Sequence, residues 1–193
     1  KFPSTRLRRV RNSDWVRRLI SENNLSANDL ILPIFLIEGK NKKEKIKTMP
    51  GIYRYSLDKL SSILDEVEKF KIPMIALFPN TSNRQRDNSG SEALNEDNLV
   101  CRAIKLIKKK YNKFGVMTDV ALDPYTSHGH DGIILNGKID NDETLKILEK
   151  QALLQASVGS DVIAPSDMMD GRIGIIRKSL DKKKLKDTQI LSY

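Results

Sequence analysis

Short runs of almost uninterrupted apolar residues recur along the chain and alternate with segments of helical periodicity. A short apolar run of this kind is typical of a strand that is buried on both faces. Five such runs are present, at residues 30–37, 74–79, 114–122, 161–166 and 189–193. Between them, apolar side chains fall at helical spacing in four segments, 56–70, 95–111, 142–157 and 170–180.

This alternation of strand and helix predicts an α/β fold with a parallel sheet and right-handed crossovers. Two architectures fit it, a doubly wound open sheet and a (β/α)8 TIM barrel. No glycine-rich phosphate loop follows the first run, which weakens the dinucleotide-binding interpretation of the open sheet. A closed barrel needs about 250 residues. As a barrel, this chain of 193 residues would be truncated after about the fifth strand.

Helix ends and loops give more local predictions. Asn95 is the predicted N-terminal cap of the second helix. Gly115 and Gly159 are predicted to end the second and third helices, because glycine tolerates the left-handed conformation that often terminates a helix. The connections 38–55 and 80–94 lack periodicity and are predicted to be long loops of the kind that form lids or interfaces.

Positive charge is concentrated near the N-terminus. The net charge is +9, and residues 1–54 account for +8 of it. Such a surplus is compatible with nucleic-acid binding. The favoured interpretation is a solvated surface, or an arm that packs on an acidic neighbour, because the rest of the chain has no basic stripe. No nucleic-acid partner is therefore predicted.

The composition also bears on the compartment. Hydrophobic residues make up 39% and charged residues 31% of the chain, which is enough apolar material for a buried core. A single cysteine allows no internal disulfide and favours a reducing, cytoplasmic location. No apolar stretch reaches the roughly 18 residues of a membrane-spanning helix. The arginine-rich N-terminus lacks the apolar region of a secretory signal. No membrane partner is predicted.

The candidate chemistry centres on residues 118–132, TDVALDPYTSHGHDG. In a strand, residues two or four apart share a face, so Asp119 and Asp123 are expected to point the same way. A buried acid is costly unless a cation or metal lies beside it. Asp131 could close back on the pair. The alternative is structural, with Asp123 capping a turn before a proline and Asp131 forming an Asp-Gly turn.

The same loop contains both histidines of the chain, His128 and His130. Together with the hard carboxylate ligands they form a mixture that does not identify one metal. No cysteine lies nearby, so a thiolate zinc site is not predicted here. The alternative for each histidine is a loop residue hydrogen-bonded to the backbone, and it is favoured for His128.

A second polar cluster follows the fourth run, in APSDMMDGRIG, residues 164–174. Ser166 or Asp167 could cap the next helix, and the cap is favoured for Asp167. Ser166 lies nearer the strand end and is predicted to face the site. No base for a nucleophilic serine is identifiable, so a hydrogen-bonding role is predicted for Ser166.

The segments DVALDPYTSHGHDG, APSDMMDGRIG and the terminal ILSY together resemble the porphobilinogen synthase family, also called 5-aminolevulinate dehydratase. LILPIFLIEG, MPGIYRYS, GSEALNEDNLV and NDETL agree with it in the same order. The resemblance implies an N-terminal arm, residues 1–29, and a partial TIM-barrel catalytic domain, residues 30–193. It also implies a homo-octamer, assembled through the arm. The implied reaction condenses two 5-aminolevulinate molecules into porphobilinogen, with loss of two waters, in tetrapyrrole biosynthesis.

The resemblance also implies residue roles. Asp119 would lie near the amino group of one substrate, and Ser166 corresponds to an active-site serine, so both are candidate catalytic and substrate-binding residues. Asp123 and Asp131 are candidate substrate-binding residues as well. In one branch of the family these two positions and that of Ala121 are zinc-binding cysteines.

The chain matches the aspartate-rich branch instead. No catalytic zinc is expected, and Asp123 and Asp131 would hold magnesium weakly. The role of His130 is left open by the resemblance. The two lysines that form Schiff bases with the substrates would lie beyond Tyr193, so none is assigned within these residues and the isolated chain is expected to be inactive.

Two rival hypotheses remain at the level of sequence. One is a metal-dependent barrel aldolase or lyase that uses Asp119, Asp123 and His130 as ligands. The other is a basic nucleic-acid-binding module without enzymatic activity.

Overall fold

The structure is a computed structural model that describes residues 1–193. The strands are β1 (Ile31–Ile37), β2 (Lys43–Lys45), β3 (Tyr53–Tyr55), β4 (Met74–Asn80), β5 (Gly115–Val120), β6 (Ile133–Leu135), β7 (Lys138–Asp140), β8 (Val162–Pro165) and β9 (Gln189–Ile190). The α-helices are α1 (Asp14–Leu19), α2 (Ser61–Phe70), α3 (Leu99–Lys110), α4 (Asn141–Ser157) and α5 (Arg172–Lys182). Short 3-10 turns cover Leu7–Arg11, Ala27–Asp29, Leu57–Lys59, Asn83–Gln85 and Ser91–Leu94.

Seven strands form one sheet in the order β2-β3-β1-β4-β5-β8-β9. Only β2 is antiparallel to its neighbour, and β6 and β7 form a separate hairpin. The five predicted strands are confirmed as β1, β4, β5, β8 and β9, which are parallel neighbours in chain order. The fold is thus α/β with a mostly parallel sheet, and the sheet is open rather than a closed barrel.

The helices cover only one face of this sheet. On that face, alternate strand residues pack with α2 and α3, and the core includes Ile34, Leu36, Ile75, Leu77, Val116, Leu64 and Ile104. A second cluster joins the end of β5 and β8 to α4 and α5. The opposite face has a small cluster of strand residues, Ala76, Met117, Val162 and Ala164. A doubly wound sheet reverses its strand order and takes helices on both faces. Here α2, α3, α4 and α5 pack on one face, and β1, β4, β5, β8 and β9 follow one another in a single direction, with the short strands β3 and β2 added at the free edge of β1.

The connection 38–55, predicted to be a long loop, contains two strands. β3 pairs in parallel with the end of β1, with Phe35 opposite Arg54. β2 then pairs with β3 and forms the outer edge of the sheet. Strands of three residues are too short to show a periodicity of two, which is why the sequence gives no sign of them. The connection 80–94 contains 3-10 turns and no long strand or helix.

Two of the predicted helix ends are wrong. The cap of α3 is Asn98, whose side chain accepts a hydrogen bond of 2.8 Å from the Cys101 backbone N–H, and not Asn95. Gly115 does not end a helix but begins β5. The third prediction is confirmed, because Gly159 follows α4 with φ of +114°.

The first 30 residues have no buried side chain, although they include α1.

Cys101 lies on the buried face of α3 and has no exposed surface. Burial raises the pKa of its thiol to about 11. None of the helices has both the length and the apolar composition needed to span a membrane.

Candidate active site

A cleft of about 180 Å³ opens at the carboxyl ends of β1, β4 and β5. It is lined by Phe35, Arg54, Phe78, Pro79, Asn80, Asp119, Asp123 and Pro124. The strand register explains this grouping, because Phe35 lies opposite both Arg54 and Phe78. Residues that are in register in a parallel sheet point to the same face. The cleft therefore lies on the face of the sheet that the helices leave uncovered.

Asp119 lies near the carboxyl end of β5 and is hydrogen-bonded by its neighbours. It pairs with Ala164 of β8, so Ser166 lies at the same end of the sheet, as predicted. The Tyr193 hydroxyl donates a hydrogen bond of 3.0 Å to Asp119 Oδ1. Burial raises the pKa of Asp119, and hydrogen bonds from Ser166 and Tyr193 act in the opposite direction. Burial and the Asp119 charge raise the pKa of the Tyr193 hydroxyl.

Asp123 and Asp131 come together, as the sequence suggested they could. The Asp123 side chain reaches solvent, but the surrounding protein removes part of its hydration and raises its pKa to about 6. Further causes are the nearby charges of Asp131 and Asp119 and a hydrogen bond with the Asp131 carboxyl. Three neighbouring carboxyl groups repel one another when ionised, so the cluster favours a proton, an ammonium group or a metal cation.

Both histidines accept hydrogen bonds from backbone N–H groups of the loop. His128 Nδ1 accepts the His130 backbone N–H at 3.2 Å, and His130 Nδ1 accepts the Gly132 N–H at 3.0 Å. A neutral histidine that accepts at Nδ1 carries its proton on Nε2. No group of three or more histidine, cysteine, aspartate or glutamate side chains is close enough to hold a metal ion. The geometry therefore agrees with the backbone-bonded alternative for both residues.

Asp167 does not cap the next helix, so this prediction is wrong. Helix α5 begins later, after Gly171. Asp167 is 1% exposed, accepts the Met169 N–H at 2.8 Å and lies 3.4 Å from Arg172 Nε. Short acidic side chains can satisfy a backbone N–H in a turn as well as at a helix start, and the sequence does not distinguish the two. Here Asp167 stabilises the turn that follows Ser166.

Sequence reasoning missed Tyr193, which hydrogen-bonds to Asp119, and Arg54, which lines the cleft. Tyr193 ends the fifth apolar run, and that position at a strand end is a signal that could have identified it. Arg54 lies in the connection that was predicted to be a loop, where no pattern assigned it to the sheet. Both lie far along the chain from Asp119, and only the fold brings them near it.

Substitution of Asp123 tests the electrostatics of the cluster. The folded-state pKa of about 6 exceeds the ordinary value of 3.8. Folding therefore favours the protonated form of Asp123, and this contribution to the free energy of unfolding is lost as the pH rises through about 6. We expect Asp123→Asn to raise the urea midpoint at about pH 7.5 and not at about pH 4. Because the side chain reaches solvent, the gain should be about 1 kcal/mol or less.

The matched control is Asp187→Asn, which changes an exposed acid outside the cluster. It should leave the urea midpoint unchanged at both pH values. A lower midpoint for Asp123→Asn at the higher pH would contradict the expected repulsion.

The one-sided parallel sheet and the acid-lined cleft define an α/β protein whose candidate site lies at the carboxyl ends of the strands. A family profile described as delta-aminolevulinic acid dehydratase matches residues 4–193. The chain belongs to this family. The match covers the motifs on which the resemblance rested and favours neither rival hypothesis.

Relatives and a solved structure agree with the family. The delta-aminolevulinic acid dehydratase of Bradyrhizobium diazoefficiens is 54% identical over 188 residues, covering 97% of this chain and 53% of that protein. That of Ruminiclostridium josui is 42% identical, covering 97% and 91%. The crystal structure of the Toxoplasma gondii enzyme in complex with porphobilinogen has a TM-score of 0.93 at 40% identity, covering 98% and 54%. The chain thus spans about half the length of the Bradyrhizobium and Toxoplasma proteins.

Proposed function

We propose that the protein containing this chain is a porphobilinogen synthase, which condenses two 5-aminolevulinate molecules into porphobilinogen with loss of two waters. The family match over residues 4–193 carries this proposal. Further support comes from the Toxoplasma enzyme, which was crystallised in complex with its reaction product porphobilinogen.

The acids at the cleft suit the ammonium group of 5-aminolevulinate. 5-Aminolevulinate carries an ammonium group, and Asp119, Asp123 and Asp131 provide a concentration of negative charge at the strand ends. An ammonium group must lose a proton before its nitrogen can attack a carbonyl carbon. A partly buried carboxylate with a raised pKa is suited to accept that proton. We assign this role to Asp119, with Ser166 and Tyr193 orienting its carboxyl group.

The family also uses two lysines that form Schiff bases, and we place both outside residues 1–193. A lysine of this kind needs a dry site in which its amine is neutral. None of the residues that line the cleft is a lysine. The residues described here would then bind and orient the substrate and move its protons.

The whole protein is proposed to be a (β/α)8 barrel. From β1 through β4, β5 and β8 to β9 the strands advance in one direction with helices on one face, which is the arrangement of a barrel wall. We propose the cytoplasm as its location, because a single cysteine fits a reducing compartment. We also propose a homo-octamer in which residues 1–29 pack on a neighbouring subunit. Large apolar side chains are exposed there, namely Phe2, Leu7, Val10, Trp15, Leu19, Ile20 and Leu25.

Magnesium fits the donor set of Asp123 and Asp131. The charge of Asp131 helps to raise the pKa of Asp123, and a cation between the two carboxylates would relieve the same repulsion as a proton does. Magnesium binds through one or two carboxylates and retains several waters, whereas zinc favours nitrogen and sulfur ligands. When bound, magnesium would neutralise the two carboxylates and help to orient the substrate.

We expect millimolar magnesium to stimulate porphobilinogen formation and zinc to have no such effect. Asp131→Asn should raise the magnesium concentration needed for half-maximal stimulation, because it leaves one carboxylate instead of two. Initial rates of the full-length protein in chelator-treated buffer, with each metal added back, measure this. Stimulation by stoichiometric zinc that resists chelation would contradict the assignment.

The proposed activity is tested with the full-length protein and 5-aminolevulinate. Porphobilinogen is expected as the product, detected by its colour reaction with an acidic aldehyde reagent. Borohydride should trap a substrate adduct on lysines outside residues 1–193. A protein without turnover would overturn the proposed function, and an adduct within residues 1–193 would show that the Schiff-base lysines are misplaced.

A further inference from the structure

Two glutamines occupy buried positions on α4. Gln151 and Gln155 are each 1% exposed and lie four residues apart, so they are neighbours on one face of the helix. The same face contains Leu148 and Ala152, which are fully buried. Burying an amide in such surroundings is unfavourable unless it is hydrogen-bonded. The pair therefore needs an explanation other than packing.

Each glutamine donates to the backbone at the end of β5. Gln155 Nε2 donates to the Asp119 carbonyl at 3.0 Å, and Gln151 Nε2 donates to the Ala121 carbonyl at 3.2 Å. The Oε1 atoms of both side chains have no partner. Rotating either amide by half a turn would place its oxygen against a carbonyl oxygen. The Nε2 group is therefore the part of each side chain that makes the contact with β5.

The end of β5 is paired with β8 on one side, but it lacks a strand partner on the side that faces β4, where these donors act. Pairing of β4 with β5 stops at Leu77 and Thr118, although β5 continues to Val120. The Gly115 N–H donates towards β4, to the Pro73 carbonyl. Backbone groups of alternate residues point to the same side, so the Asp119 carbonyl also faces the side where pairing with β4 has ended. The two amides supply the hydrogen bonds that a neighbouring strand would otherwise provide.

We infer that Gln151 and Gln155 are positioning residues for Asp119, acting through the backbone of residues 119–121. They hold the strand end so that the Asp119 carboxyl meets the Tyr193 hydroxyl. The inference deepens the proposed function and rests on it.

The test replaces both glutamines in the full-length protein by methionine, which is similar in volume and has no donor. Small displacements of a catalytic group are costly, so kcat should fall about tenfold to 100-fold, with a smaller change in KM. The acid limb of the pH–rate profile should also move to lower pH, because a loosened Asp119 regains hydration and burial is the main cause of its raised pKa.

Leu148→Ala is the matched control. It removes buried volume from the same helix and leaves in place the hydrogen bonds that Gln151 and Gln155 donate. The protein should lose stability, yet folded molecules should keep the original kcat and pH–rate profile. A purely structural role for the glutamines would predict the same behaviour for the methionine variant and for this control.

Gln155→Glu supplies the conservative replacement. A buried glutamic acid that is protonated can still donate to the Asp119 carbonyl, and an ionised one cannot. Activity should therefore be retained at low pH and lost as the pH rises, more steeply than in the original protein. This variant decides the matter if the methionine variant fails to fold.

Unchanged kcat and pH–rate profile in the methionine variant would overturn the inference, as would a Leu148→Ala control that reproduces both changes. An original pH profile in Gln155→Glu would do the same. If the unsubstituted protein has no turnover, the proposed function fails and the inference fails with it. If it has turnover and the glutamine variants match it, only the inference fails.

Discussion

Asp119→Asn in the full-length protein is expected to lower kcat for porphobilinogen formation by about 10² to 10⁴. Asparagine preserves the shape of the side chain and can still accept a hydrogen bond from Tyr193. It cannot carry a negative charge or take up a proton, which are the two properties that the proposed role requires. Steady-state formation of porphobilinogen measures the effect.

Asp97→Asn is the control for this substitution. The Asp97 side chain is 82% exposed and lies outside the cleft, so kcat should not change. If Asp119→Asn kept kcat, proton transfer would have to be assigned to another acid of the cluster, Asp123 or Asp131.

Removal of residues 1–29 from the full-length protein is expected to abolish the large homo-oligomer. Leu7, Leu19 and Leu25 are 84%, 75% and 83% exposed, and nothing within the chain covers them. Each such side chain contributes roughly 1.5–3 kcal/mol when it is buried at an interface. Light scattering coupled to size-exclusion chromatography should show a smaller species.

A single substitution in the arm distinguishes the loss of its contacts with a neighbouring subunit from a general effect on solubility. Leu7→Asp should weaken the oligomer, whereas Leu106→Asp should not, because Leu106 is exposed on α3 and lies outside the arm. An unchanged mass after deletion of residues 1–29 would contradict the proposed role of the arm.

The strands and helices of the main sheet could be predicted from the sequence because burial constrains composition. A strand covered on both faces needs a run of apolar residues, and β4 and β8 each lie in one. β2 and β3 could not be predicted in this way. Each has only three residues, those of β2 being charged and exposed and those of β3 including the buried Tyr55, so neither forms a recognisable apolar run. Pairing with a partner distant in the chain makes them strands.

The acids of the site were predictable for a similar reason. Asp119 lies near the end of an apolar run, residues 114–122, and an acid in that position is unusual enough to indicate function. Gln151 and Gln155 were not predictable, because polar residues in a helix are ordinarily solvent-exposed. Their partners are backbone carbonyl groups, which every residue possesses and no sequence pattern marks.

Because Cys101 is buried on α3, its chemical labelling reports local unfolding of that helix. With a pKa of about 11, only about one thiol in a thousand is ionised at pH 8, and the thiolate is the reactive form. The side chain is also out of reach of reagents in solution, since it has no exposed surface. A disulfide reagent should therefore label the chain only when α3 separates from the sheet. The rate of labelling then measures how often this part of the molecule unfolds, with no probe introduced by mutation.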